Sequence, residues 1–261
     1  MPLIFLDDLR LNARLDGPAS SLPLVLLHGL GMDLTIWDSL LPVLPPLRLL
    51  RCDMRGHGGS DTPPGPYAMG ALIRDAERLM DHFGLKDAVV LGHAVGGMIA
   101  QGLAVKRRDL VRALVLSNTA ARIGSASQWQ TRIDAVRAQG MSAIAPRTLD
   151  HWFGRNPKGR PDLGPWRDRL LRQSPEGWIG VAAALKGADF YTTTATLRLP
   201  TLAIAGDRDG DTPPDLVRET ADLVPGSRFV LLNGAGHLPF VEKPADYGAT
   251  LTRFLKEIGH V

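Results

Sequence analysis

Three short segments of the sequence carry residue types that could together perform acyl transfer. Residues 92–97 read GHAVGG, which has the glycine spacing of the sharp strand-to-helix turn that presents a nucleophilic serine. Ala94 stands where that serine is expected. Residues 206–214 then supply three aspartates and residues 234–237 end in a histidine, so the chain order is nucleophile position, acid and base.

Acyl transfer also requires a general base and donors that bind the negatively charged oxygen of the transition state. His237 has the position of the base, and one aspartate must hold its imidazole in the correct tautomer; the candidates are Asp207, Asp209 and Asp211. The backbone N–H of the residue after the nucleophile, here Val95, is one expected oxyanion donor. The other is expected from the HGLG loop at residues 28–31, where Leu30 is the candidate.

Buried strands are predicted wherever short apolar runs occur, because such runs are typical of a sheet covered on both faces. These runs lie at residues 23–29, 47–53, 87–93, 111–118, 200–206 and 227–234. The stretches between them predict helices at residues 69–83, 95–106, 213–223 and 244–258. This alternation predicts the α/β class with a mostly parallel, doubly wound sheet, in which ligands bind at the carboxyl ends of the strands.

Residues 120–197 interrupt the alternation, because they contain helical pieces without a clear strand. We predict a helical cap inserted into one core domain that comprises residues 1–119 and 198–261. Four of the five tryptophans lie in this insertion, and Trp129 and Trp152 are candidates for substrate binding, although aromatic residues at helical spacing more often serve packing. The insertion also carries 11 Lys and Arg against 6 Asp and Glu, which favours an anionic ligand.

Taken together, these segments resemble the α/β-hydrolase family and, more narrowly, the 3-oxoadipate (β-ketoadipate) enol-lactonases. The resemblance covers nearly the whole chain and is carried by LLHGLGMDLTIWD, DMRGHGGSDTPPGPY, GHAVGGMIAQGLA, NTAARIG and GAGHLPFVEKP. It implies a Ser-Asp-His triad that works through a covalent acyl-enzyme, with Asp209 as the acid and His237 as the base. It also implies a small lactone or ester substrate, and no cofactor or metal. General carboxylesterases and C–C bond hydrolases of the same fold share much of the pattern and are the alternatives.

Ala94 is the one clear departure from the family pattern. The turn holds its central residue at positive φ, which costs about 1–3 kcal/mol for a residue other than glycine. A lineage that had lost catalysis could relax the turn or lose Asp209 and His237, yet all remain. The hypothesis is therefore an inactive, engineered Ser→Ala variant of an active hydrolase. Two alternatives stay open: a natural pseudoenzyme that only binds a ligand, and a cofactor-free oxygenase or lyase that uses the His-Asp pair.

The bulk composition excludes several other function classes. A net charge of +3 without any Lys/Arg-rich run argues against nucleic acid as a partner. No apolar run approaches the roughly 20 residues that span a bilayer, and the first residues lack the basic start of a signal peptide. The single cysteine, Cys52, is expected to be buried and fits the reducing cytoplasm. We expect a monomer or homodimer that acts on a small-molecule substrate and does not bind a membrane.

Overall fold

An eight-stranded, mostly parallel sheet forms the centre of the chain, of which the computed structural model describes residues 3–153 and 161–261. The strands are β1 (Leu3–Leu6), β2 (Leu9–Asp16), β3 (Pro23–Leu27), β4 (Arg48–Cys52), β5 (Ala88–His93), β6 (Val111–Ser117), β7 (Thr201–Gly206) and β8 (Arg228–Leu232). Their spatial order is β1-β2-β4-β3-β5-β6-β7-β8. β2 runs antiparallel to both neighbours, and the other pairs are parallel. The predicted doubly wound sheet is confirmed.

The six predicted strands are the parallel ones, and each lies inside its predicted range. β3, β5 and β7 are buried at every residue, which is why their sequences are continuous apolar runs. β1 and β2 were not predicted. In β2 polar Arg10 and Asn12 interrupt the leucines, and β1 is largely exposed, so neither gives a buried run. The two strands form a hairpin that extends the sheet on the β4 side.

Four helices of the core match the prediction to within one residue at either end. They are α1 (Met69–His82), α2 (Val95–Lys106), α8 (Pro214–Asp222) and α10 (Pro244–Glu257). A short additional helix, α9 (Pro239–Glu242), directly follows the predicted base His237. None of the helices in the described ranges has the length and apolar character required to cross a membrane.

Between β6 and β7 the described residues form helices and no strand. These helices are α3 (Ala126–Gln139), α4 (Ala145–Phe153), α5 (Gly164–Leu171), α6 (Pro175–Gly187) and α7 (Tyr191–Ala195), and we call them the cap helices. A capping box at Ser125 starts α3, because its side chain accepts from the Gln128 N–H and the Gln128 side chain accepts from the Ser125 N–H. The division of the chain into core and cap at residues 120 and 197 stays a prediction.

Candidate active site

Ala94 occupies the turn between β5 and α2 and has the backbone angles φ 50° and ψ −120°. The neighbouring glycines are required by close packing. A Cβ on Gly92 would lie 2.2 Å from the Gly96 oxygen, and a Cβ on Gly96 would lie 2.2 Å from the Leu27 oxygen. The Ala94 N–H donates to the Ser117 oxygen at 3.1 Å, which ties the turn to β6. The turn therefore keeps the shape that presents a nucleophile, with a methyl group in its place.

His237 and Asp209 form the buried pair predicted from the sequence. His237 Nδ1 lies 2.8 Å from Asp209 Oδ2, and the two side chains are 3% and 0% exposed. Burial alone would lower the pKa of His237, but the negative charge of Asp209 and its hydrogen bond outweigh burial and raise that pKa. Because Nδ1 faces Asp209, Nε2 is the nitrogen left to exchange a proton with a nucleophile.

Of the three candidate aspartates, the structure brings Asp209 to the histidine. Asp207 accepts from the Gly234 N–H at 2.7 Å on the protein surface, and Asp211 contacts His151 at 2.8 Å. Asp209 Oδ1 also accepts from the backbone N–H groups of Asp211 and Thr212, at 2.7 and 3.0 Å. Its position is thus fixed by the loop that carries it.

Two further side chains donate hydrogen bonds to the Asp209 carboxylate, and the sequence analysis did not predict them as site residues. Thr212 Oγ1 donates to Oδ2 at 2.6 Å, and Asn118 Nδ2 donates to the same oxygen at 2.7 Å. Asn118 directly follows β6 and adopts a positive φ of 45°. A polar residue at the carboxyl end of a strand was the available signal for Asn118.

Leu30 and Val95, the predicted oxyanion donors, line one cavity together with Ala94. A Cβ on Gly29 would lie 3.3 Å from the Ala94 Cβ, so the HGLG loop packs directly against the turn. Val95 is the first residue of α2, where a backbone N–H has no partner inside the helix. Within the described ranges, no group accepts a hydrogen bond from the Leu30 N–H. Both N–H groups are therefore available to a ligand oxygen.

Two buried histidines brace the HGLG loop. His57 Nε2 accepts from the Gly31 N–H at 3.0 Å, and His28 Nε2 accepts from the Met54 N–H at 2.9 Å. Burial lowers the pKa of His57 to about 3 and also lowers the pKa of His28. Both rings are consequently neutral and can act as hydrogen-bond acceptors.

A cavity of about 40 Å³ lies at position 94 beneath the cap helices. Its lining combines the candidate catalytic positions with residues of the cap: Leu30, Ala94, Val95, Ile123, Trp129, Arg132, Thr148, Trp152, Trp178, Leu185, Asp211 and His237. Trp129 and Trp152, the candidates from the sequence, are among them, and their contact with a substrate stays a prediction. Trp178 was not predicted to line the site.

Arg132 is the arginine of the cap helices that lines this cavity. Its guanidinium lies over the rings of Trp129 and Trp178, with its central carbon 4.6 and 5.6 Å from the ring centroids. Within residues 3–153 and 161–261 it forms no ion pair, and burial lowers its pKa. Trp129 and Arg132 lie three residues apart on α3, so their side chains are neighbours on the helix, but this spacing alone does not indicate that they face the cavity.

A second, outer cavity adjoins the first and shares Ile123, Trp129, Arg132 and Asp211 with it. Arg147 and His151 line only the outer cavity. The oppositely charged Arg132 and Asp211 therefore lie between the outer cavity and position 94.

Cys52 is 5% exposed, and burial raises the pKa of its thiol to about 12, so it is not a nucleophile at neutral pH. In the part of the chain that the structure describes, no group of three His, Cys, Asp or Glu side chains is arranged to hold a metal ion.

Comparisons with known proteins identify the family of this chain. A family model described as the α/β-hydrolase fold matches residues 23–150. The 3-oxoadipate enol-lactonase 2 of Acinetobacter baylyi is 31% identical over 255 residues, which cover 96% of this chain and 94% of that protein. The chain belongs to the α/β-hydrolase family. Its resemblance to the enol-lactonases, inferred from the sequence motifs, is confirmed.

Two solved structures of hydrolases superpose on this chain over nearly their full length. The enol-lactonase of Burkholderia xenovorans gives a TM-score of 0.93 at 33% identity, covering 98% of this chain and 100% of that one. A hydrolase of Pseudomonas aeruginosa gives 0.91 at 36% identity, covering 97% of each chain. The full coverage means that the cap helices have counterparts in these relatives.

Proposed function

We propose that this hydrolase is the Ser→Ala form, produced by engineering, of an enzyme that hydrolyses a small lactone or ester bearing a carboxylate. The enol-lactone of 3-oxoadipate is the leading candidate, since enol-lactonases are among its relatives. The observation that carries the proposal is the His237–Asp209 pair, joined at 2.8 Å, whose histidine lines the same cavity as Ala94.

With serine at position 94, each part of the site has a role in the reaction. The serine Oγ attacks the carbonyl carbon while His237 Nε2 takes its proton, and the N–H groups of Leu30 and Val95 bind the developing oxyanion. The C–O bond then breaks, and His237 returns the proton to the leaving oxygen. In a second half-reaction, water attacks the acyl-enzyme with His237 again as the base, which releases the acid and regenerates serine.

Asp209 orients the base throughout these steps. It keeps the Nδ1 proton of His237 in place, so that Nε2 is the basic nitrogen, and it stabilises the imidazolium formed after proton transfer. Its hydrogen bonds from Thr212 and Asn118 hold the carboxylate in that orientation.

The backbone at position 94 supports the interpretation of a replaced serine. Ala94 keeps a φ of 50°, a conformation that costs a non-glycine residue about 1–3 kcal/mol. Alanine gains nothing chemically from that strain, whereas a serine nucleophile requires it. The glycines, the acid and the base of the site are all retained.

Arg132 supports a carboxylate on the substrate. A carboxylate that enters a cavity lined by tryptophans loses hydration and needs a charge-assisted partner. The planar guanidinium can bind both carboxylate oxygens at once and so orient the carbonyl toward position 94. The flanking Trp129 and Trp178 rings hold Arg132 in the cavity without neutralising its charge.

The test is the Ala94→Ser variant, assayed on a panel of lactones, esters and 1,3-diketones. We expect hydrolysis of a lactone acid that is at least about 10³-fold faster than with the Ala94 chain and is abolished by a serine-directed phosphonate. No gain on any compound would favour a ligand-binding pseudoenzyme. Turnover by the Ala94 chain itself would favour a cofactor-free oxygenase or lyase, and a preference for diketones would favour a C–C bond hydrolase.

A further inference from the structure

The carboxyl end of cap helix α4 contacts both loops that carry the acid–base pair. The His237 N–H donates to the Trp152 oxygen at 2.7 Å. The N–H of Gly210, which follows Asp209, donates to the His151 oxygen at 3.2 Å. Two consecutive carbonyl groups of one helix therefore hold the backbone beside the acid and the backbone of the base.

Glycines at the contact points allow this close approach. A Cβ on Gly210 would lie 2.9 Å from the His151 Cα, and a Cβ on Gly236 would lie 2.4 Å from the Trp152 oxygen. Either side chain would push α4 away from the loops. The residue beside the acid and the residue beside the base are thus both kept small where the helix packs.

A pair of side chains adds to these backbone contacts. His151 Nδ1 on α4 lies 2.8 Å from Asp211 Oδ1, and the two side chains are 23% and 18% exposed. The N–H of the same Asp211 donates to Asp209 Oδ1 at 2.7 Å. The side chain of Asp211 consequently contacts the cap helix, while its backbone N–H contacts the catalytic carboxylate.

The groups that face Asp211 keep it ionised. Burial alone would raise the pKa of this carboxyl, but the hydrogen bond of His151 and the charges of His237 and Arg132 lower it to about 2. Asp211 therefore accepts a hydrogen bond from His151 as a carboxylate at any working pH. Neither side chain forms a hydrogen bond with the acid–base pair. The charge of Asp211 also raises the pKa of His237, whereas any effect of His151 on catalysis passes through the position of Asp209 and His237.

We infer that His151 and Asp211 are positioning residues, which lock α4 onto the two catalytic loops and so fix the geometry between Asp209 and His237. The activity readout of this inference depends on the proposed function, whereas its spectroscopic readout does not. His151 is the cleaner position to test, since Asp211 also lines the cavity at position 94 and faces Arg132.

The spectroscopic test uses the Ala94 chain. The Nδ1 proton of His237, in its hydrogen bond to Asp209, is followed as a low-field proton resonance. We expect His151→Ala to shift or broaden this resonance and His151→Asn, whose side-chain amide can still donate to Asp211, to preserve it. His82→Ala, at an exposed histidine at the end of α1, is the matched control and should leave the resonance unchanged. An unchanged resonance in folded His151→Ala would overturn the inference.

The kinetic test uses the same substitutions together with Ala94→Ser. We expect His151→Ala to lower kcat about tenfold with KM within about twofold, because small misplacements of catalytic groups affect the chemical step more than binding. His151→Asn should recover most of kcat. Equal kcat for His151→Ala and the parent, or a loss that His151→Asn shares, would contradict a positioning role. If Ala94→Ser is inactive on every compound, the proposed function fails and the resonance still decides the inference.

Discussion

Asp209 accepts hydrogen bonds on both carboxylate oxygens, from two backbone N–H groups and from the side chains of Thr212, Asn118 and His237. At the scale of single residues, this set of donors separates Asp209 from its neighbours. Among the described residues, the side chains of Asp207 and Asp211 each accept one hydrogen bond, from the Gly234 N–H and from His151. The order of residues along the chain did not distinguish the three aspartates. Which of their side chains points toward His237 depends on the conformation of the folded loop.

The first prediction concerns the acid and the base. Together with Ala94→Ser, His237→Ala should lower kcat by about 10⁵- to 10⁶-fold and Asp209→Asn by about 10³- to 10⁴-fold, because the residues of a triad act as one unit. Steady-state kinetics on the best lactone checks both values. Asp207→Asn is the matched control and should stay within about threefold. A harmless Asp209→Asn beside a damaging Asp207→Asn would show that the acid is misassigned.

The second prediction concerns pH. His237 must be neutral to accept the serine proton, and its pKa is raised by Asp209 and Asp211 against the effects of burial and of Arg132. Activity should therefore fall as the pH drops through a pKa above the ordinary value of 6.5.

Asp211→Asn tests the sign of that shift. Removing a negative charge near His237 destabilises the imidazolium, so the acidic limb of kcat/KM against pH should move to lower pH in the Ala94→Ser background. Asp215→Asn removes the same charge from an exposed position four residues further along and should leave the limb in place. A limb that moves to higher pH would contradict the role given to Asp211.

The third prediction concerns Arg132. Arg132→Gln should raise KM for a lactone acid about 10- to 100-fold, since a hydrogen bond to a charged group contributes about 1.5–3 kcal/mol. The neutral methyl ester or amide of the same compound should be affected less than about threefold. Arg137→Gln, at an exposed arginine of the same helix, makes the same charge change and serves as the control. Faster turnover of longer neutral esters would instead identify a general carboxylesterase.

At the scale of elements, the turn between β5 and α2 depends on backbone packing that the motif already indicated. A Cβ on Gly96 would meet the oxygens of Leu27 and His28 at 2.2 and 2.7 Å, so the helix can start only if this residue has no side chain. The GHAVGG spacing could therefore be interpreted correctly from the sequence, because glycine was required by geometry rather than chosen for flexibility.

The fourth prediction follows from this contact. Gly96→Ala should lower the free energy of unfolding by roughly 2–4 kcal/mol, because backbone atoms on β3 would have to move. Gly70→Ala is the matched control: Gly70 lies in α1 with nothing within 4 Å of its added Cβ, and the change should stabilise by about 0.5–1 kcal/mol. Urea unfolding of the three proteins measures both effects. Equal stability of Gly96→Ala and the parent would contradict the packing argument.

The buried parallel strands were predictable and the β1–β2 hairpin was not, for one physical reason. A strand covered on both faces must be apolar throughout, whereas β2 has exposed Arg10 between buried Leu9 and Leu11. Similarly, the arginine of the cap that faces the cavity could not be chosen from the sequence. Its direction depends on how α3 packs against α6, which brings both Trp129 and Trp178 against the guanidinium of Arg132.

At the scale of the whole molecule, positive charge is concentrated in residues 120–197. This segment has 11 Lys and Arg against 6 Asp and Glu, within a chain of net charge +3. We expect this excess of positive charge to raise the local concentration of an anionic substrate near the site. The expected monomer or homodimer and the cytoplasmic location stay predictions.

The fifth prediction follows from this distribution. With Ala94→Ser, kcat/KM for a lactone acid should fall about two- to tenfold between low salt and 0.5 M salt, because counterions screen charges beyond a few ångströms. The neutral ester should show no comparable change, and it serves as the control for salt effects on the protein itself. Parallel salt curves for the two compounds would show that the field of the cap has no part in recognition.

The two indole rings in contact with Arg132 also give the Ala94 chain an intrinsic fluorescent probe of ligand binding. A carboxylate that binds this guanidinium changes the electric field at Trp129 and Trp178 and excludes water from them, and both changes alter indole fluorescence. Because the Ala94 chain has no serine nucleophile, we expect a bound ester to persist for the length of a titration. Tryptophan emission can therefore report the occupancy of the site directly, without a label and without a reaction to follow.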